Sequence, residues 1–252
     1  MHRVIHPKFQ NYTQTLDSFI SNFETEGEAF GNQQRNSLRL FKLNNITLNI
    51  KSFKKPNAIN KVVYKYFRKS KAERSYLYAN KLKDMGIGTP IPVAYYELTT
   101  KIIFGKSFYI SEHLNCDITY RELTTNFDID NYEGILRAFT AFTFMLHEKG
   151  VNFLDHSPGN TLIKFNNGEY KFYLVDLNRM KFETMTFQKR MRNFAKLTTH
   201  RSMVEIMSDE YSNLINEDYD KVFNLMWKET QDFQSNFHRR RRIKKKIKFW
   251  KN

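Results

Sequence analysis

The chain has 252 residues, of which 40% are hydrophobic, and it contains 23 Phe and 14 Tyr. Such a chain should fold as a globule, with room for one two-lobed domain or two small ones. No apolar run reaches eighteen residues, which argues against a membrane-spanning helix, and the first residues lack the apolar core of a secretory signal. A single cysteine, Cys116, cannot form an internal disulfide. We therefore expect a protein of the reducing cytoplasm.

The net charge of +15 is distributed unevenly. Residues 239–251, RRRRIKKKIKFWK, carry nine basic residues and no acidic one, so the rest of the chain keeps only +6. A basic tail of this kind predicts electrostatic binding to an anionic partner. Lipid surfaces and nucleic acids are both partners of this kind. Ile243, Ile247, Phe249 and Trp250 interleave with the charges. This mixture favours an anionic membrane surface over a solvated extension or an RNA-binding segment, although RNA stays open.

The first half of the chain predicts mainly strands. Residues 37–43 and 46–53 alternate between apolar and polar side chains on either side of Asn44-Asn45, which predicts a β-hairpin. Two more strands are predicted at 92–98 and 107–114. The first thirty residues have weak periodicity and carry no assignment.

One helix interrupts these strands. Apolar residues recur at spacings of three or four over residues 72–85, which predicts an amphipathic helix. Ser70 is a suitable N-cap, with Glu73 three residues later as its capping-box partner.

The second half predicts mainly helices. A long helix is expected over residues 132–149, and helical structure again over 187–228. Between them, residues 161–165 and 170–177 predict a small hairpin around a turn at Asn166-Asn167-Gly168. The order indicates an α+β fold.

The segment between the long helix and the last helices carries the most informative polar residues. Asp155 is followed five residues later by Asn160, with Pro158-Gly159 bending the chain between them, and Asp176 follows an apolar run. Phosphoryl transfer needs an oriented acceptor hydroxyl and divalent metal on the nucleotide phosphates. A carboxylate can orient the acceptor hydroxyl. A second carboxylate and an amide supply hard oxygen ligands for the metal.

The sequence of this segment resembles that of a known family. The motif D-H-S-P-G-N followed by L-V-D-L-N-R-M is similar to the lipopolysaccharide kinase family, which includes the Kdo kinases and the WaaP heptose kinases. Kdo is the acidic sugar that links lipid A to the core. The upstream stretch FRKSKAERSYLYANKLKDMGIGTPIPVAYYE also resembles that family, so the likeness covers roughly residues 38–182.

The resemblance implies a two-lobed fold like that of protein kinases. The N-terminal lobe, residues 1–112, would hold an antiparallel sheet and one main helix. The larger, mainly helical lobe, residues 113–238, would hold the catalytic loop and precede a basic tail at 239–252. ATP and Mg²⁺ would bind between the lobes.

The resemblance also implies roles for single residues. Asp155 matches the catalytic aspartate, and Asn160 and Asp176 match the magnesium ligands. Lys51 matches the lysine that contacts nucleotide phosphates, and Glu73 the helix glutamate that positions it. The rival lysine, Lys65, lies only eight residues before Glu73, too few for a strand end, a connection and a helix start. Two residues at the expected hinge, Glu112 and Leu114, would offer backbone groups to adenine.

Departures from the protein-kinase pattern weaken a protein-kinase assignment. Asp155 lacks the preceding His and Arg, Asp176 lacks the glycine of D-F-G, and no full glycine-rich loop precedes Lys51. His147 and His156 lack ligand partners at transition-metal spacing, and we expect His156 to shape the loop or meet substrate. Arg179 could pair with a phosphate or with a neighbouring acid.

The sequence thus predicts an ATP-dependent kinase that phosphorylates a sugar hydroxyl, by resemblance Kdo or less favourably heptose, on the lipid A–core precursor. Its expected place is peripheral, at the cytoplasmic face of the inner membrane. Alternatives are a protein or small-molecule kinase of the same fold, a pseudokinase scaffold at the membrane, and a nucleic-acid-binding protein that acts through its tail.

Overall fold

A computed structural model describes residues 1–31, 36–54, 69–99 and 104–249 of the chain. Lys65 and Trp250, both considered above, lie outside these ranges. The chain divides into two compact units. One contains Met1–Asn115 together with Leu174–Asn178, and the other contains Cys116–Tyr173 together with Arg179–Asn252. The predicted boundaries at residues 112 and 238 stay predictions.

The first unit is built on a six-stranded antiparallel sheet in the order β1-β5-β6-β4-β3-β2. The strands are β1 (His2–Ile5), β2 (Glu28–Phe30), β3 (Ser37–Leu43), β4 (Ile46–Phe53), β5 (Pro92–Thr99) and β6 (Phe104–Glu112). The predicted hairpin is confirmed, with Leu43 opposite Ile46 and the turn residue Asn44 at φ +51°.

The two faces of this sheet bury different partners. Leu48 and Ile50 alternate on β4 and are fully buried, because they pack with Leu16 and Ile20 of helix α1 (Thr13–Ser21). That helix and the 3₁₀ turn Pro7–Tyr12 before it had no sequence assignment. The alternation leaves Lys51 on the opposite face of the strand.

Helix α2 (Lys71–Asp84) packs on the Lys51 face of the sheet. The contact cluster there consists of Phe53, Ala72, Tyr76 and Tyr95, with Tyr109 against it. Ser70 caps the helix as predicted, since its side chain accepts a hydrogen bond from the Glu73 N–H. The apolar spacing therefore located both the helix and the face that it buries.

The second unit is mainly helical. Its helices are α3 (Tyr120–Leu123), α4 (Tyr132–Glu148), α5 (Phe187–Phe194), α6 (Arg201–Ile215) and α7 (Tyr219–Phe249). Helices α4, α6 and α7 share one apolar core, in which Phe139, Met207 and Met226 are fully buried. Among the helices in the described ranges, none combines the length and apolarity needed to cross a bilayer.

Short strands complete this unit. They are β7 (Ile118–Thr119), β8 (Val151–Phe153), β9 (Thr161–Asn166), β10 (Glu169–Leu174) and β11 (Met180–Phe182). The predicted small hairpin is β9–β10, with Asn167 and Gly168 at positive φ in its turn. Strand β11 returns to pair with β8, so Lys181 lies opposite Asn152.

Up to Phe249, the basic tail continues helix α7. The helix has 31 residues, a length of roughly 46 Å at 1.5 Å per residue. All seven basic side chains from Arg239 to Lys246 are exposed. Ile243 among them is 48% exposed, so the helix carries its apolar side chain into solvent together with the charges.

Candidate active site

In the first unit, Lys51 and Asp176 form an ion pair. Nζ of Lys51 lies 2.9 Å from Oδ1 of Asp176, and the two side chains are 14% and 27% exposed. Asp176 reaches this position because its segment is anchored to the loop after helix α2. The Leu174 N–H donates to the carbonyl of Gly88, and the Thr89 hydroxyl donates to the carbonyl of Leu174. These contacts bring together two residues that are 125 positions apart in the sequence.

Asp176 has a left-handed backbone conformation, with φ at +57°. The other described non-glycine residues with positive φ are all asparagines: Asn44, Asn131, Asn167 and Asn216. Asp and Asn adopt this region more readily than other L-residues, but the conformation still carries strain. Strain held at a carboxylate that pairs with a lysine is typical of a functional position.

The carboxylate of Asp176 is oriented through one of its two oxygens. The Asn178 amide donates to Oδ1 at 2.5 Å, and Lys51 contacts the same atom. This arrangement leaves Oδ2 for another ligand. A carboxylate oxygen on an oriented side chain fits the oxygen coordination that Mg²⁺ prefers.

Glu73 does not contact Lys51. Its carboxylate lies 3.5 Å from Nζ of Lys69, one helical turn away, and its backbone N–H is used by the Ser70 cap. The structure thus brings Lys51 to Asp176 and leaves Glu73 in a local pair at the start of helix α2.

A cavity of about 730 Å³ opens in the first unit beside the predicted hinge. Its lining includes Leu40, Thr47, Glu112 and His113. The N–H of Glu112 donates to the carbonyl of Ile91, so this backbone donor is already used. The N–H of Leu114 makes no backbone hydrogen bond within the described ranges. The volume is within the range of small-ligand sites, and the described lining includes Glu112 but not Leu114.

In the second unit, Asp155 and Asn160 delimit one tight loop after strand β8. The Asn160 amide nitrogen donates to the backbone carbonyl of Asp155 at 2.8 Å. The N–H of Asn160 also donates to the carbonyl of Ser157. Because the amide nitrogen is engaged in the loop, the amide oxygen is the atom of Asn160 that can serve as a metal ligand.

Two cations flank the Asp155 carboxylate. Nζ of Lys196 lies 3.6 Å from Oδ1, and the guanidinium of Arg179 lies 4.0 Å from Oδ2. Lys196 also donates to the backbone carbonyl of Leu154. The Asp155 side chain is 29% exposed, so it remains accessible to a reactant. The two cations hold the carboxylate between strand β8 and helix α5, where a reactant can reach it.

A buried hydrogen-bond network centred on Asn193 anchors the Asp155 loop. The amide nitrogen of Asn193 donates to the carbonyls of Phe153 and of the Asn152 side chain, at 3.0 and 3.2 Å. Its oxygen therefore accepts from Nε2 of His147 and Nδ1 of His156, at 3.2 and 3.1 Å. Helix α4, helix α5, strand β8 and the Asp155 loop thus meet at one amide.

Both histidines of this network are neutral. Burial lowers the pKa of His147 to about 3 and the pKa of His156 to about 4, and in each case the hydrogen bond to Asn193 only partly opposes the shift. Since Nδ1 of His156 carries the proton, Nε2 is a bare acceptor. It is buried and has no hydrogen-bond partner within the described part of the chain. His156 therefore shapes the loop, one of the two roles expected for it.

Comparison with protein families decides the relationship that the motifs suggested. The model of the lipopolysaccharide kinase (Kdo/WaaP) family matches residues 25–222, more than three quarters of the chain. The chain belongs to this family. A search of curated proteins finds no match.

A solved structure supports the fold of this family member. The structure described as WaaP in complex with acyl carrier protein superimposes with a TM-score of 0.63 at 15% sequence identity. The match covers 92% of this chain and 99% of the solved chain. The fold is therefore kinase-like and α+β, as predicted, with an antiparallel sheet in its N-terminal part and helices in its C-terminal part.

Sequence reasoning missed Lys196 and Asn193 in this kinase-family member. Lys196 lies 41 residues after Asp155, in a region read only as helical. Asn193 is a polar residue on an otherwise amphipathic helix, and its position among buried apolar neighbours was the one available signal.

Proposed function

We propose that this protein transfers the γ-phosphoryl group of ATP to a sugar hydroxyl, most favourably on Kdo, of the lipid A–core precursor. Membership of a kinase family establishes the general class, and the finer assignment is ours. The observation that carries it is the Lys51–Asp176 ion pair, because it places the lysine proposed to bind phosphate beside the carboxylate proposed to bind the metal.

The roles follow from the chemistry of each side chain. Lys51 would hold the nucleotide phosphates, and Leu114 would offer its N–H to the base. Asp155 would orient the acceptor hydroxyl and accept its proton as the oxygen attacks phosphorus. No covalent enzyme intermediate is needed, since positioning and charge neutralisation supply most of the rate enhancement.

The donor set suits Mg²⁺. Asp176 and Asn160 would hold the ion, and both present oxygen atoms, the ligand type that Mg²⁺ favours. Bound magnesium neutralises charge on the nucleotide phosphates. We propose that both pairs act on the same nucleotide.

The test of this function is a transfer assay. Purified protein, ATP and Mg²⁺ are incubated with a Kdo-bearing lipid A precursor, and mass spectrometry is expected to find one added phosphate. A precursor that lacks Kdo is the matched control and should stay unmodified. Efficient phosphorylation of a generic protein, with the lipid precursor unchanged, would instead favour a protein kinase.

The exposed cations at the end of helix α7 support a peripheral position on an anionic membrane. Each basic residue near such a surface contributes about 1 kcal/mol. We expect deletion of residues 239–252 to reduce sedimentation with phosphatidylglycerol vesicles to background while nucleotide binding is retained. Replacing the four arginines at 239–242 by glutamine should give an intermediate loss. Unchanged sedimentation, or binding to RNA instead of vesicles, would refute the membrane partner.

A further inference from the structure

A cavity of about 900 Å³ lies in the second unit, separate from the hinge cavity described above. It is formed by the strand pair β8–β11 on one side and by helices α5 and α7 on the other, and we call it the β8–α7 groove. Its lining includes Leu154, His156 and Lys196. Leu154 precedes Asp155 in the chain, and Lys196 contacts the Asp155 carboxylate, so the groove begins beside the proposed base.

The charges of the β8–α7 groove do not cancel. Its lining holds five basic and three acidic residues, and each acidic residue is paired with one cation. The three pairs are Lys189–Glu183, Arg192–Glu229 and Lys228–Asp232. Lys181 and Lys196 remain as excess positive charge. Lys196 contacts Asp155. Lys181 acts on Glu183 only at longer range, since no described carboxylate lies within 4 Å of it.

The remaining lining combines polar and apolar groups. The Asn152 amide is held inside the protein, since its nitrogen donates to Glu183 and its oxygen accepts from Asn193, and the Phe233 ring offers an apolar surface. The pairing of β11 with β8 places Lys181 directly opposite Asn152, on the same face of the strand pair. His156 also lines the groove, and its buried Nε2 has no hydrogen-bond partner among the described residues.

We propose that the β8–α7 groove binds the acceptor, as an anionic sugar whose charged group contacts Lys181 and whose reacting hydroxyl points to Asp155. This inference rests on the proposed function, which it deepens by assigning the acceptor site. The volume of the groove fits a ligand of one or a few sugar rings. Lys196 then connects the two sites, because it contacts the base and also lines the groove.

Two kinds of anionic group in the precursor can contact Lys181, namely the Kdo carboxylate and the lipid A phosphates. Lys181→Ala removes a groove cation that has no carboxylate within 4 Å among the described residues, and because this side chain is exposed the variant should fold like the wild type. We expect the KM for the precursor to rise about tenfold or more, since a hydrogen bond to a charged group is lost. The KM for ATP and the kcat at saturating precursor should not change.

Lys171→Ala, at an exposed lysine of strand β10 outside the groove, is the matched control. A precursor stripped of its lipid A phosphates separates the sources. A KM effect that persists with it assigns Lys181 to the Kdo carboxylate, and an effect that disappears assigns Lys181 to phosphate. Unchanged KM values for both precursors, or an equal rise in the KM for ATP, would overturn the groove as the acceptor site.

Direct binding of the precursor without ATP separates this inference from the proposed function. If the wild type binds and Lys181→Ala weakens binding, while no transfer occurs, then the groove stands and the proposed function fails. If the wild type transfers phosphate and Lys181→Ala binds the precursor normally, then the function stands and the groove fails.

Discussion

Replacing Asp176→Asn should lower phosphoryl transfer by about three orders of magnitude, the scale of losing one major charge-stabilising group at the reacting phosphate. The neutral amide would neither neutralise a bound cation nor pair with Lys51, which now lies 2.9 Å from the carboxylate. The affinity for the ATP–magnesium complex should also fall. Steady-state kinetics and nucleotide titrations with and without Mg²⁺ measure both effects.

Asparagine is the informative substitution because the backbone of Asp176 has φ at +57°. Asn tolerates this conformation, so the variant should unfold within a few degrees of the wild-type Tm. Asp176→Ala removes the same charge but adds a left-handed strain of about 1–2 kcal/mol, and its Tm should be lower. If Asp176→Asn keeps more than a tenth of wild-type turnover, the metal-binding role is wrong.

Replacing Asp155→Asn should lower kcat by about 10²–10⁴ while leaving nucleotide affinity nearly unchanged, because a general base acts in the chemical step. The substitution spares the loop, since Asn160 donates to the backbone carbonyl of Asp155 and not to its side chain. Lys196 and Arg179 would lose their shared carboxylate, but both are partly exposed and can be hydrated.

Asp117→Asn provides the control for charge removal in the same unit. Its carboxylate accepts a hydrogen bond from the Phe165 N–H, away from the Asp155 loop, so turnover should stay normal. Near-normal turnover of Asp155→Asn, measured at several pH values, would contradict its assignment as the proton acceptor.

Local signals predicted much of the fold. The hairpin from Ser37 to Phe53 was located to the residue because its alternation and its turn are encoded within seventeen positions. Helix α2 was located for the same reason, through its apolar spacing and the Ser70 cap. Helix α1 was not, since what holds it is distant in sequence: Leu16 packs against Leu48 and Ile50.

The candidate site divides in the same way. The motif around Asp155 and Asn160 is contiguous, and the structure joins its ends by a hydrogen bond. The contact of Asp155 with Lys196 and the anchoring of the loop by Asn193 depend on how helix α5 returns to strand β8. No local pattern encodes such a return. Glu73 shows a different limit. The motif predicted that it contacts Lys51, but Lys69, just before helix α2, is a nearer partner.

We propose above that Lys51 and Asp176 act on the same nucleotide as Asp155 and Asn160. A crystal structure with Mg²⁺ and a non-hydrolysable ATP analogue tests it most directly. We predict a magnesium ion at about 2 Å from oxygens of both Asp176 and Asn160, with the Asp155 carboxylate beside the terminal phosphate. A nucleotide bound with its phosphates away from either pair would contradict the account.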